Sequence, residues 1–86
     1  MHEMSLMRDL MRKIAAVARE QQAQRVVAVG VRIGALAHIS AEHFREHFTE
    51  GVRGSIADGA RLDIDMGTDT AEPLAQSIVL TRVDIQ

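Results

Sequence analysis

Arg25-Val26-Val27-Ala28-Val29-Gly30-Val31-Arg32-Ile33 is the stretch whose reading decides the fold. Its β-branched side chains are stiff at χ1 and fit a pleated strand better than a helix. Simple alternation places Val27, Val29, Val31 and Ile33 on one face, and Val26, Ala28, Gly30 and Arg32 on the other. So dense an apolar run predicts the central strand of a sheet. Gly30 and the nearby Gly34 lack the third glycine and the following helix of a phosphate loop, so they read as a close packing contact or a bulge.

Working toward the amino terminus, Leu6, Met7, Leu10, Met11, Ile14, Val17 and Ala18 fall on one helical face between Leu6 and Gln21, with Arg8, Asp9, Arg12, Lys13, Arg19 and Glu20 around the rest. Ser5 or Glu3 is the expected cap. Met7 and Met11 read as core filling in preference to a soft-metal surface.

Working toward the carboxyl terminus, Ser40 stands at a cap position, with Ile39 before it and Phe44 after it in the spacing of a hydrophobic staple. The helix that follows spans Ala41 to Gly51, its buried edge being Phe44, Phe48 and Val52. Arg53 to Gly59 reads as a turn or an irregular extension of that helix. Arg61 to Met66 alternates, predicting Leu62, Ile64 and Met66 inward and Arg61, Asp63 and Asp65 outward. Ile78 to Ile85 alternates less cleanly, with Val79, Val83 and Ile85 as the expected buried set. The polar connection Gly67 to Ser77 holds the only proline and exceeds the two to five residues of a hairpin loop. The order α-β-α-β-β predicts an α+β fold, a small three-stranded sheet with two helices packed on one face.

Composition narrows the function. At 86 residues the chain is one domain. With Phe44 and Phe48 as its only aromatic residues, a net charge of −2 and scattered basic residues, it offers neither a stacking platform nor a phosphate footprint, so nucleic acid is excluded as a partner. The absence of cysteine removes thiol chemistry, disulfides and thiolate zinc sites. No run approaches the roughly 20 apolar residues of a membrane span and no signal-peptide profile opens the chain, so no membrane association is expected and the location is read as cytoplasmic.

Two groups of residues carry metal chemistry. In Met1-His2-Glu3 an α-amine, the His2 amide nitrogen and the His2 ring can close a five- and a six-membered chelate ring around one ion. In-plane nitrogen ligation of that kind suits Ni(II) or Cu(II). An exposed chain end is the alternative reading. His43-Phe44-Arg45-Glu46-His47 matches the H-x-x-E-H of inverted zincins, and residues four apart share a helical face. A peptidase also needs a third ligand and a cleft, so His43 and His47 are expected to form at most a weak, secondary metal site, and no catalytic residue is assigned. His38 reads as a surface or capping residue. Asp63 and Asp65 read as the charged side of a strand rather than as a catalytic pair.

The opening Met1-His2-Glu3-Met4-Ser5-Leu6, Arg25-Val26, Val31-Arg32-Ile33-Gly34-Ala35, the Phe44 helix, Arg53 to Leu62 and Arg82-Val83-Asp84-Ile85 together resemble the HypA/HybF family. Its members are accessory proteins that help deliver nickel to [NiFe]-hydrogenase and, in some bacteria, to urease. The resemblance implies a nickel-binding domain over residues 1–86, with His2 as the essential ligand and Glu3 in the site and in contact with a HypB-like GTPase. It implies as donors the His2 ring, the His2 amide and the Glu3 amide or Met1 amine, and as client the large subunit of a [NiFe]-hydrogenase. Family members insert a zinc ribbon with two C-x-x-C pairs between the last two strands. Residues 67–77 stand in that place here, so no zinc is expected. The alternative is a metal-free interaction module of the same fold that binds a hydrogenase subunit or maturation partner. A homodimer through the exposed final strand is compatible with either.

Overall fold

The computed structural model describes residues 3–86, with side chains from Ser5 onward. Its elements are α1 (Glu3–Glu20), β1 (Val26–Ile33), α2 (Ala41–Gly51), β2 (Arg61–Met66) and β3 (Ile78–Ile85). The valine-rich stretch is the central strand, as its composition predicts: the sheet order is β2-β1-β3. β1 pairs with β2 in parallel and with β3 antiparallel. Parallel strands need a crossover, and α2 supplies it, making β1-α2-β2 a βαβ unit. Both helices pack on one face, α1 over β3 and α2 over β2.

The core joins Met7, Leu10, Ile14 and Ala18 of α1 and Phe44 and Phe48 of α2 to Val26, Val29, Val31 and Ile33 of β1, Leu62 of β2 and Ile78 of β3. Met7 is buried and Met11 packs against the core, as core-filling methionines should. Burying roughly 1.5–3 kcal/mol of apolar free energy per fully enclosed side chain is what commits so short a chain to one arrangement.

The strand faces differ from simple alternation, and the reason is bulging. Register shifts separate Val26 from Ala28 and Gly30 from Val31 in the β1–β3 ladder. At the first, Val26 turns inward, fully buried, and Val27 turns out, 40% exposed. An inserted residue reverses the parity of everything beyond it. At the second, Thr81 is the unpaired residue, so Ile78 and Leu80 face the core before it and Val83 after it. The expected set of Val79, Val83 and Ile85 is therefore corrected: Val83 packs inward, but Val79 is only half-buried and Ile85 is 37% exposed. On β2, Leu62 and Ile64 face the core, whereas Met66, the last residue of the strand, is 43% exposed, which corrects its expected inward place.

Helix ends show one agreement and one correction. Ser40 caps α2, its Oγ accepting from the His43 amide at 3.0 Å, with Ile39 and Phe44 both buried beside it. Ser5 does not cap α1, because the helix already begins at Glu3 and Ser5 lies within its first turns. Between α2 and β2 the chain runs through successive turns. Gly54 and Gly59 adopt φ of 79° and 80° there, and Ser55 Oγ donates to Val52 O at 2.7 Å. This is the irregular extension of the helix that the sequence suggests.

β2 and β3 are not hairpin partners. They end and begin on opposite sides of Ile33, which is paired with Met66 on one side and Ile78 on the other. Residues 67–77 must pass around the end of β1, and they lie against it. The Gly34 amide donates to Ser77 O at 2.9 Å, the Leu36 amide to Ala75 O at 2.7 Å and the Gly67 amide to Ile33 O at 2.8 Å. A Cβ at Gly34 would sit 2.2 Å from Ala75 O, so glycine is required there by close backbone approach. Part of the length of this connection is thus a requirement of topology.

Candidate metal centre

Of the expected nickel donors, Met1 and His2 lie outside the described residues, and Glu3 enters only as the first residue of α1. The surroundings of that helix start are described. An open cleft of about 660 Å³ runs between the first half of α1 and the approach to β3, lined on one wall by Ser5, Leu6, Arg8, Asp9, Arg12 and Lys13 and on the other by Leu74 and Ser77 to Val79. Asp9 is shared between Lys13 at 3.2 Å and Arg12 at 3.5 Å. These pairs are exposed and contribute little to stability, but they leave a net basic rim. Sequence reading did not bring the two walls together. They are distant along the chain, and only the antiparallel return of β3 under α1 joins them.

His43 and His47 are brought together as their spacing demands. Their Nε2 atoms are 2.8 Å apart, with ring centroids 4.6 Å apart and planes inclined by 16°. His43 is exposed and His47 half-buried, on the flank of α2 beside the buried Phe44 and Phe48. Among the described residues, no group of three or more His, Cys, Asp or Glu side chains is placed to hold a metal ion. The third ligand that the zincin pattern needs is therefore not found among the described residues. His38 is exposed, with a left-handed φ of 58°, in the turn that leads into α2, as expected of a surface residue.

The outward face of the sheet carries paired charges. Asp63 receives Arg61 at 3.1 Å and is also paired with Arg82, which reaches it across Gly30 of the central strand. Hydrogen bonding to Arg61, then to Arg82, holds the Asp63 carboxyl below its ordinary range. Arg32 bridges Asp65 at 2.5 Å and Glu72 at 2.6 Å, which raises its pKa, chiefly through Glu72. Each of these acids has a basic partner, in keeping with the charged side of β2 that the alternation implies.

Comparison with known proteins then decides the family. Residues 1–72 match the family described as hydrogenase/urease nickel incorporation, metallochaperone, hypA. The chain belongs to the HypA family. It is 47% identical over 64 residues to the hydrogenase maturation factor HypA of Rhodopseudomonas palustris strain CGA009, covering 74% of this chain and 57% of that relative. It is 42% identical over 66 residues to the HypA of Methylocella silvestris, covering 77% and 58%, and 39% identical over 66 residues to that of Archaeoglobus fulgidus, covering 77% and 60%. The aligned part is thus less than two-thirds of each of these relatives. The fold matches the solution structure of the Ni metallochaperone HypA from Helicobacter pylori with a TM-score of 0.79, at 18% identity, over 99% of this chain and 97% of that one. At that identity the likeness is one of fold. The α+β architecture inferred from the strand and helix pattern is the architecture of the HypA fold.

Proposed function

We propose that this chain is a nickel-binding accessory protein for maturation of a [NiFe]-hydrogenase. Met1, His2 and Glu3 supply the nitrogen donors, and Glu3 also contacts a HypB-like GTPase. The observation that carries the reading is that the family match begins at residue 1 and so includes Met1-His2-Glu3. Nickel is the cargo, passed to the hydrogenase large subunit. Residues 67–77 take the place of the ribbon insertion, and with no cysteine in the chain a thiolate zinc site is chemically excluded. The family is described by nickel incorporation, and the chain acts here without catalysis of its own. No described helix is long and apolar enough to cross a membrane, and a cytoplasmic setting suits delivery to a maturing enzyme.

The test is titration of Ni2+ into untagged protein that begins at Met1, beside a His2→Ala variant. Wild type should bind more tightly, with affinity rising as pH rises, because amine and imidazole must lose protons before they ligate. Equal affinity for the two proteins overturns the amino-terminal site.

A second reading, a metal-free interaction module, is favoured by the exposed Leu74 on the wall of the cleft beside α1. Under it, capture of a hydrogenase subunit or maturation partner is unaffected by His2→Ala and by a nickel chelator. Under the nickel reading both treatments weaken capture.

A further inference from the structure

The imidazole pair on α2 is not among the donors proposed for the amino-terminal nickel site, and its geometry is specific. Residues four apart on a helix lie one above the other, yet nothing in that spacing obliges the same atom of each ring to converge. Here the Nε2 atoms approach to 2.8 Å while the ring centroids stay 4.6 Å apart. That separation suits an N–H···N hydrogen bond, with the donor and acceptor set by the ring tautomers. Two imidazole nitrogens bound at neighbouring positions on one ion, each at about 2.0–2.1 Å, sit roughly 3 Å apart. The observed spacing is close to that bite, and an ion can take the place of the hydrogen-bonding proton once both rings carry hydrogen on Nδ1.

The backbone under the pair is held in place. Ser40 caps the helix through the His43 amide, while Phe44 and Phe48, each one residue beyond a histidine, are buried in the core. Arg45, between the two, donates to Leu62 O at 3.0 Å and ties this turn to β2. The rings therefore lose little freedom on binding. Glu46 and Glu50 lie along the same side of the helix, a setting that favours a cation, with Glu50 already paired to Arg53 at 2.9 Å.

We propose that His43 and His47 form a bidentate imidazole clip for a divalent late transition-metal ion of the nickel, copper and zinc group. Imidazole suits all three metals, and the described residues add no third donor. The remaining coordination positions are filled by water or by donors from outside the described residues. The two rings supply donors other than those of Met1-His2-Glu3.

The experiment uses untagged full chain and Ni2+ alone, in wild type and in His2→Ala, His43→Gln, His47→Gln and the His43→Gln/His47→Gln double variant. Ni2+ with two imidazoles and water is high-spin and paramagnetic, so amide signals from Glu42 to Glu50 should broaden on its addition. The broadening should survive His2→Ala and vanish in the double variant. Affinity at the clip should fall about tenfold or more for either single His→Gln change, at least as much as loss of an outer partner of a metal ligand costs. The metal-free thermal midpoints should match wild type, which separates ligand loss from misfolding.

Unchanged binding and unchanged broadening in the double variant overturn the clip and leave the amino-terminal reading untouched. Sensitivity to His43→Gln and His47→Gln but not to His2→Ala supports the clip and overturns the other. A single ion weakened by all three substitutions also supports the clip, as one side of a shared site.

Discussion

At the scale of single residues, Gly30 shows how an absent side chain organises charge. It lies between Asp63 on β2 and Arg82 on β3 in the register of the sheet, and without a Cβ it lets the two ion-pair across the central strand. A Cβ there would come within 2.9 Å of Thr81 Oγ1 and 3.3 Å of Arg82 Cβ. Asp63 is the acceptor for two arginines, and its folded pKa lies below the ordinary 3.8. The native state therefore binds this proton less readily than the unfolded chain. The resulting stability is fully present above pH 3.8 and is lost as pH falls from there through the depressed value. Asp63→Asn should flatten that acid limb and change the urea midpoint little at neutral pH, because exposed pairs are screened. Urea unfolding of both proteins from neutral pH down through 3.8 checks this. Parallel acid limbs would mean that the pairs of Asp63 with Arg61 and Arg82 add nothing.

Helices and strands differ in how much of themselves they disclose in sequence. The two helix ends that matter most here respond in opposite directions. Ser40→Ala removes the acceptor of the His43 amide and should cost about 1 kcal/mol. Gln22, just past α1, has φ of 54°, and the chain closes with the Gln22 amide on Arg19 O at 3.1 Å and the Ala23 amide on Ala18 O at 2.9 Å. That is a Schellman ending with glutamine where glycine is usual, so Gln22→Gly should be neutral or stabilise by up to about 1 kcal/mol. Thermal denaturation reads both, and a shift of the same sign in the two would refute the pairing of causes. Ser40 was legible because a cap needs only one side chain at one position. The ending at Gln22 was not, since the residue carries no sign of its backbone conformation. Strand existence was equally legible at Val26–Ile33 and Arg61–Met66, but facing was not. A bulge at Val27 or Thr81 is set by the neighbouring strand, and one inserted residue inverts the pattern that alternation predicts. The His43–His47 pair was readable from spacing alone, because helix geometry fixes which residues meet. The convergence of the two Nε2 atoms needed coordinates. Met1-His2-Glu3 reads from sequence as a chelating chain end, and Met1 and His2 lie outside the described residues.

At the scale of the whole molecule, the placement of β2 and β3 on either side of β1 turns the 67–77 connection from a simple excess of loop into a structural strap. Strands two apart in a sheet are separated by about 10 Å, and the chain leaving β1 at Gly34 occupies the space between them. A two-residue turn joins only adjacent strands. Replacing residues 67–77 by Asn-Gly should therefore pull β3 away from β1, exposing Ile78, Leu80 and Val83, which face the core. Ile78 is buried and Leu80 and Val83 partly so; at roughly 1.5–3 kcal/mol for full burial of an aliphatic side chain, their exposure together with loss of the β1–β3 ladder is comparable with the whole stability of a domain of this size, and cooperative unfolding should disappear. A Gly/Ser replacement of residues 68–76 at equal length should keep the fold. It retains the backbone bonds to Gly34 and Leu36 and gives up the burial of Ala75 and the Arg32–Glu72 pair, a cost of about 1–2 kcal/mol. Hydrogen exchange of the β1 and β3 amides distinguishes the cases. If the short-turn variant protected those amides as wild type does, β3 would reach its place without the strap, and the length of the connection would have no topological role.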